Sequence, residues 1–124
     1  MGKPTEDLSP EAAERRELLD FELLYLIEKE PGLTQRELAE RLDISLGKVN
    51  YCIKGLAGKG AIKLANFRAS SNKLGYVYIL TPKGIGQRLA LTKRFLARKI
   101  ADYERLKTQI DTLEQDLSDG QYDD

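Results

Sequence analysis

The chain has 124 residues, 20 Lys and Arg against 20 Asp and Glu, one cysteine and no histidine. That length holds one domain, or one small domain with an appendage. The counts exclude an internal disulfide, Ser-His or Cys-His nucleophiles and His acid–base chemistry, and they leave no ordinary zinc set. No Gly-rich phosphate loop, carboxylate pair in an apolar setting or metal-ligand cluster stands out, so the chain reads as no enzyme and as needing no cofactor. It has no apolar run of about 18 residues. The opening "MGKPTEDLSP" has no apolar core for a secretory signal. No membrane contact is expected, and the expected location is cytoplasmic.

Residues 1–10 are polar with two prolines and read as a disordered N-terminus. Ser9-Pro10-Glu11 is a helix start, with Ser as N-cap and Pro in the first turn. The helix it opens carries Leu18, Leu19, Phe21, Leu23, Leu24, Leu26 and Ile27 among charges and stops at Pro31-Gly32. "TQRE" (Thr34 to Glu37) is a capping box. It opens a helix to about Leu42, followed by a tight turn at Asp43-Ile44. Ser45 then caps "LGKVNYCIKGL". In that helix Val49, Cys52, Ile53 and Leu56 recur at the spacing of one apolar face. The opposite face holds Gly47, Asn50, Tyr51, Lys54 and Gly55. Each glycine costs about 1 kcal/mol there relative to alanine, so a merely solvated face would be built otherwise. Gly58-Lys59-Gly60 ends the helix.

After Gly60 the period changes. "AIKLANF" and "YVYILT" flank the polar, basic "RASSNKLG" and predict a two-stranded hairpin with a long connection. Thr81-Pro82 starts a last helix with no convincing breaker before Ser118; Gly84 and Gly86 weaken only its first turn. At ~1.5 Å per residue, residues 82–117 make a rod of ~54 Å, longer than so small a domain can cover. Leu89, Leu96, Tyr103, Ile110 and Leu117 recur every seven residues; Leu106 and Leu113 fall three after Tyr103 and Ile110, while Thr92 and Lys99 spoil the earlier heptads. Ile85 and Leu89 are expected to fold back on the domain's core. Leu96, Tyr103, Leu106, Ile110, Leu113 and Leu117 are expected to form a homodimer interface. The tail from residue 118 is acidic.

The order helix, helix, turn, helix, hairpin, helix is that of a winged helix-turn-helix: mainly α, with a small β-hairpin wing and a long C-terminal dimerisation helix. The expected partition is a DNA-binding domain over 11–84, the dimerisation helix over 85–117 and the acidic tail over 118–124. Leu38, Ala39, Leu42, Ile44, Val49 and Cys52 make a compact apolar set, with small Ala39 where two helices cross.

Charge is partitioned in the same way. Residues 1–32 hold 4 basic against 9 acidic side chains, residues 33–99 hold 14 against 3, and residues 100–124 hold 2 against 8. A middle block of net +11 between acidic ends suits a polyanionic partner better than it suits an indifferent surface. Asn50 has the groups to pair with adenine and Lys54 those to donate to guanine, while Gly47 lets the helix N-terminus approach a backbone. The competing reading is a winged-helix adaptor that binds protein and lacks DNA specificity; such a module would more often carry acidic or apolar residues at these positions. Cys52 lies on the inner face of its helix with no second cysteine to resolve an oxidised form. It reads as a small core hydrophobe and not as a redox sensor.

"LTQRELAERLDISLGKVNYCIKGLAGKGAIK", followed by a hairpin and "LTPKG", resembles the MarR (multiple antibiotic resistance regulator) family of bacterial transcription factors. Within it the chain is similar to the branch described as EPS-associated, linked to exopolysaccharide loci. The resemblance covers roughly residues 20 to 117. It implies a homodimer binding a pseudo-palindromic double-stranded DNA operator, with Ser45 to Lys54 as recognition helix and Arg68 and Lys73 in a wing near a minor groove. The candidate DNA contacts are Gln35, Arg36, Ser45, Gly47, Lys48, Asn50, Tyr51, Lys54, Arg68 and Lys73. Two departures stand out. Where the family's wing carries Asp-x-Arg, this chain has Asn72 and Leu74, leaving Lys73 or Arg68 to serve. It also has room for one helix before the motif and one after, fewer than usual, so the family's ligand pocket is not carried over.

Overall fold

Ser9 accepts a hydrogen bond on its hydroxyl from the Ala12 N–H at 3.1 Å and starts helix α1, Pro10–Lys29, with proline in the first turn. The computed structural model describes residues 9–70 and 73–120, and the side chains of all of these except 66–70 and 73–76. Order therefore begins inside the stretch expected to be disordered, because a capped first turn with Pro10 already holds its helical φ; residues 1–8 lie outside the described set. The remaining elements are α2 (Gln35–Leu42), α3 (Leu46–Gly58), strands β1 (Ile62–Ser70) and β2 (Lys73–Leu80), and α4 (Pro82–Gly120). This is a winged helix-turn-helix with a long C-terminal helix.

The chain forms two compact units, one reaching Leu91 and one from Thr92 onward. In the first, α1 buries Leu19, Leu23, Leu24 and Ile27, α2 buries Leu38 and Ala39, and α3 buries Val49, Cys52, Ile53 and Leu56. Each large apolar side chain fully withdrawn from water contributes about 1.5–3 kcal/mol, and Ala61, Ile62, Val77 and Leu91 are buried as well. Leu42 and Ile44 of the expected apolar set are only half-buried. The turn between α2 and α3 depends on Asp43, whose φ of 55° and ψ of 48° are left-handed, a conformation that Asp tolerates better than most residues. Its N–H and that of Ile44 return to the Ala39 carbonyl.

The hairpin corrects one expectation. Leu64 pairs with Tyr78 and Ala65 with Val77, and the ladder continues to Arg68 opposite Leu74 and Ser70 opposite Lys73, with an irregularity between Arg68 and Ser70. The strands thus absorb most of "RASSNKLG", and only Ser71 and Asn72, outside the described residues, separate them. A backbone ladder places no demand on side-chain polarity where the strand faces water, so a polar stretch can extend it.

The start of α4 brings three further corrections. Ile85 and Leu89 are 43% and 47% exposed and do not fold back on the core. The core-facing positions are Gly84, half-buried Arg88 and buried Leu91, one helical face spaced by four and three. Arg88 donates from Nε to Glu28 Oε1 on α1 at 2.6 Å. Gly84 is no mere weak point. A Cβ there would overlap the Ala61 carbonyl oxygen and lie 2.9 Å from its carbonyl carbon. Only glycine lets the helix meet the start of β1 this closely. Thr81 caps the same turn, its hydroxyl accepting from the Gly84 N–H at 3.0 Å and donating to the carbonyls of Gly60 and Ala61. The first unit therefore extends seven residues past the expected boundary at 84.

In the second unit α4 continues to Gly120, so Ser118–Gly120 are helical and not part of a separate tail. Along it Leu96, Ile100, Tyr103, Leu106, Ile110, Leu113 and Leu117 are all more than half exposed. Among the described residues, no helix is long and apolar enough to cross a membrane.

Candidate nucleic-acid interface

Helix α3 presents its polar face because its apolar one is consumed: Val49, Cys52 and Leu56 are completely buried and Ile53 nearly so. Ser45 sits at its N-cap, and its Oγ accepts from the Lys48 N–H at 3.0 Å. The side chains of Lys48, Tyr51 and Lys54 point to solvent, Gly47 lies open, and Asn50 is half-buried on the flank toward α2. On α2, Arg36 is exposed and Gln35 half-buried. Exposed face and basic charge coincide on α3 without an acidic residue between Ser45 and Gly58.

Two of the predicted residues are brought into direct contact. Asn50 Nδ2 donates to Gln35 Oε1 at 3.2 Å, and Gln35 Nε2 donates to the Tyr78 hydroxyl at 2.7 Å. Asn50 is thus tied through α2 to strand β2. Tyr78 does not figure among the residues read from the sequence; a partner 43 positions away leaves no local signal.

Tyr51 is also held, by another unforeseen residue. The Arg16 guanidinium lies over its ring, 4.9 Å from the centroid, and donates from Nε to Asp20 Oδ1 at 3.1 Å. Such a cation over an aromatic face contributes about 0.5–2 kcal/mol, depending on desolvation. Asp20 is 4% exposed, a carboxylate inside the apolar stripe of α1. Burial pushes its carboxyl above the ordinary aspartate value, against the pull of Arg16. Gly55 leaves space for this guanidinium, since a Cβ there would meet Arg16 Nη2. The available signal was Arg16 and Asp20 four residues apart, with the acid flanked by buried Leu19 and Leu23.

Cys52 is fully buried, and burial pushes its thiol up, outweighing the nearby Arg16. A thiol in that setting is a poor nucleophile. Arg68 and Lys73 are placed by backbone alone, near the turn end of β1 and β2; their side chains, and Asn72 entirely, lie outside the described residues. No group of three potential metal ligands occurs among the described residues.

Residues 16–63 match a family described as winged helix-turn-helix DNA-binding. That stretch runs from α1 through the turn and α3 to the start of β1. The chain is 30% identical over 82 residues to an uncharacterized HTH-type transcriptional regulator of Pyrococcus furiosus, covering 64% of this chain and 55% of that protein. The match thus spans little more than half the relative's length. Among solved structures, a mutant of S. aureus MepR bound to an oligodeoxyribonucleotide superposes with a TM-score of 0.55 at 22% identity, covering 86% of this chain and 78% of that one. AdcR, a zinc-dependent MarR family transcriptional regulator in its Zn(II)-bound state, superposes with a TM-score of 0.55 at 23% identity, covering 88% and 68%. At these identities the likeness is one of fold.

Proposed function

We propose that this protein is a MarR-type transcriptional regulator that binds double-stranded DNA in a sequence-specific manner through α3. The observation that carries the reading is the division of α3 into a fully buried apolar face and a solvent face bearing Gly47, Lys48, Tyr51 and Lys54, within a block of net +11 charge. A helix packed from behind in this way, with cations and amides outward, can lie in a major groove. Arg36, Ser45, Lys48 and Lys54 supply phosphate or base contacts, Asn50 with Gln35 behind it reads a base, and Arg68 and Lys73 serve in the wing. The match to a DNA-binding winged-helix family and the fold shared with the oligodeoxyribonucleotide-bound MepR mutant support it. A cytoplasmic location and control of exopolysaccharide genes follow from the resemblance to the EPS-associated branch. The adaptor reading is less well supported, because the exposed face of α3 carries Lys48 and Lys54 and no acidic residue.

The same reading makes the protein a homodimer joined through Leu96, Tyr103, Leu106, Ile110, Leu113 and Leu117, with a pseudo-palindromic operator to match. The zinc of AdcR is not carried over, since this chain has no histidine and one cysteine.

Fluorescence anisotropy with promoter DNA from the protein's own locus, over a series of salt concentrations, tests the reading. Each phosphate neutralised adds ~0.9 to the slope of log K against log salt, and a steep negative slope is expected. No binding, or salt-insensitive binding, overturns it in favour of the adaptor.

A further inference from the structure

We propose that Tyr78 is a specificity-determining positioning residue: from strand β2 its hydroxyl orients Gln35, and Gln35 orients the amide of Asn50. The inference rests on the DNA-binding reading of α3 and adds to it a residue outside the helix-turn-helix.

The three side chains come from three elements, β2, α2 and α3, and are joined in series by hydrogen bonds of 2.7 and 3.2 Å. Each is half-buried. A primary amide has one acceptor oxygen and two N–H donors. Gln35 donates an N–H to Tyr78, so its oxygen is turned toward α3. That oxygen takes one N–H of Asn50. What remains on Asn50 is its second N–H beside its free Oδ1, one donor and one acceptor in a set order. The adenine edge in the major groove offers an acceptor at N7 and a donor at N6, the complement of that pair, whereas guanine offers two acceptors.

The terminal torsion of an asparagine is broad and nearly two-fold, so an unheld amide presents either order. The relay narrows that freedom by holding Asn50 against Gln35 and Gln35 against Tyr78 in the order found. A hydroxyl can accept or donate, so what Tyr78 fixes is the placement of the two amides. Loss of its hydroxyl leaves Gln35 with one anchor fewer, and Asn50 then samples both orders toward the groove. The wing strand thus sharpens the base preference of α3 without touching that base.

Selection from a pool of random-sequence duplexes, run with the full chain, tests this. The wild type is expected to enrich a motif containing an adenine whose preference Asn50→Ala abolishes. Tyr78→Phe, which keeps the ring and its packing, is expected to lower the preference at that same base pair by roughly tenfold, within the range of a bidentate base contact. Preferences at other base pairs, affinity for unselected duplex and the melting temperature should be unchanged. Gln35→Met, which breaks the relay at its middle, should reproduce the effect at that base pair. Side-chain amide resonances of Asn50 in the free protein should shift in both variants. An unaltered motif with Tyr78→Phe overturns the proposal while leaving DNA reading intact, and so does uniform weakening at every position. A wild type that enriches no motif overturns both.

Discussion

Gly55 and Gly84 both sit inside helices, and each gives up about 1 kcal/mol of helix propensity relative to alanine. Their surroundings separate them. At Gly55 the obstacle to a methyl group is the end of the flexible Arg16 side chain, whereas at Gly84 it is the Ala61 backbone. Gly55→Ala should therefore stay within about 1 kcal/mol of the wild type, with the gain in propensity offsetting the displaced guanidinium. Gly84→Ala should lose about 3 kcal/mol, the upper end of overpacking costs, because α4 cannot stay against β1. Urea unfolding of the two variants checks this, and equal stabilities would contradict the close approach. Asp20 makes the same point about residues. Its type and its neighbour Arg16 were readable, but that its carboxylate is buried and that Arg16 reaches Tyr51 depends on α3 lying against α1.

Helices α1, α2 and α3 begin where their caps predict because a cap is a contact over three residues. In α2 the Thr34 N–H donates to Glu37 Oε1 at 2.8 Å, and the Glu37 N–H donates to Thr34 Oγ1 at 3.1 Å. The Thr34 backbone N–H, and then its hydroxyl, hold the Glu37 carboxyl below the ordinary glutamate value. A depressed carboxyl contributes stability that is present above the ordinary value and is lost as pH falls through the folded one. Glu37→Gln should thus melt below the wild type at neutral pH, and the gap should close as the medium is acidified past the glutamate range. Melting temperatures followed by circular dichroism give the test; a gap independent of pH would show that the charge on Glu37 contributes nothing to the cap.

For the molecule as a whole the question is what covers the stripe on the second unit. Ile110 and Leu113 are 54% and 64% exposed, and their neighbours in the heptad are equally open. An apolar seam of this kind is more economically covered by a second copy than left in water. If Leu106, Ile110, Leu113 and Leu117 are fully desolvated in a dimer, each contributes about 1.5–3 kcal/mol. Tyr103 can bury its ring and keep its hydroxyl at the rim. Replacing Ile110 and Leu113 by Asp should give a folded monomer with much weaker operator binding. Analytical ultracentrifugation at tens of micromolar decides it; a monomeric wild type or a dimeric double mutant would remove the seam. A two-fold dimer further requires operator half-sites about 34–36 Å apart, one turn of duplex, which footprinting would show.

Much of the fold was written locally. Ser9, Thr34 and Ser45 mark helix starts, and Val49, Cys52, Ile53 and Leu56 mark the buried face of α3, because a cap or a helical face depends on residues three or four apart. The sequence alone also determined the segregation of charge and the heptads of α4, which are matters of order along the chain. Only the tertiary structure decided the length of the strands, the exposure of Ile85 and Leu89, the need for glycine at 84 and the linkage of Asn50 through Gln35 to Tyr78. Each of these depends on the distance between residues on different elements. Packing determines that distance, and the spacing of residues within one element carries no record of it.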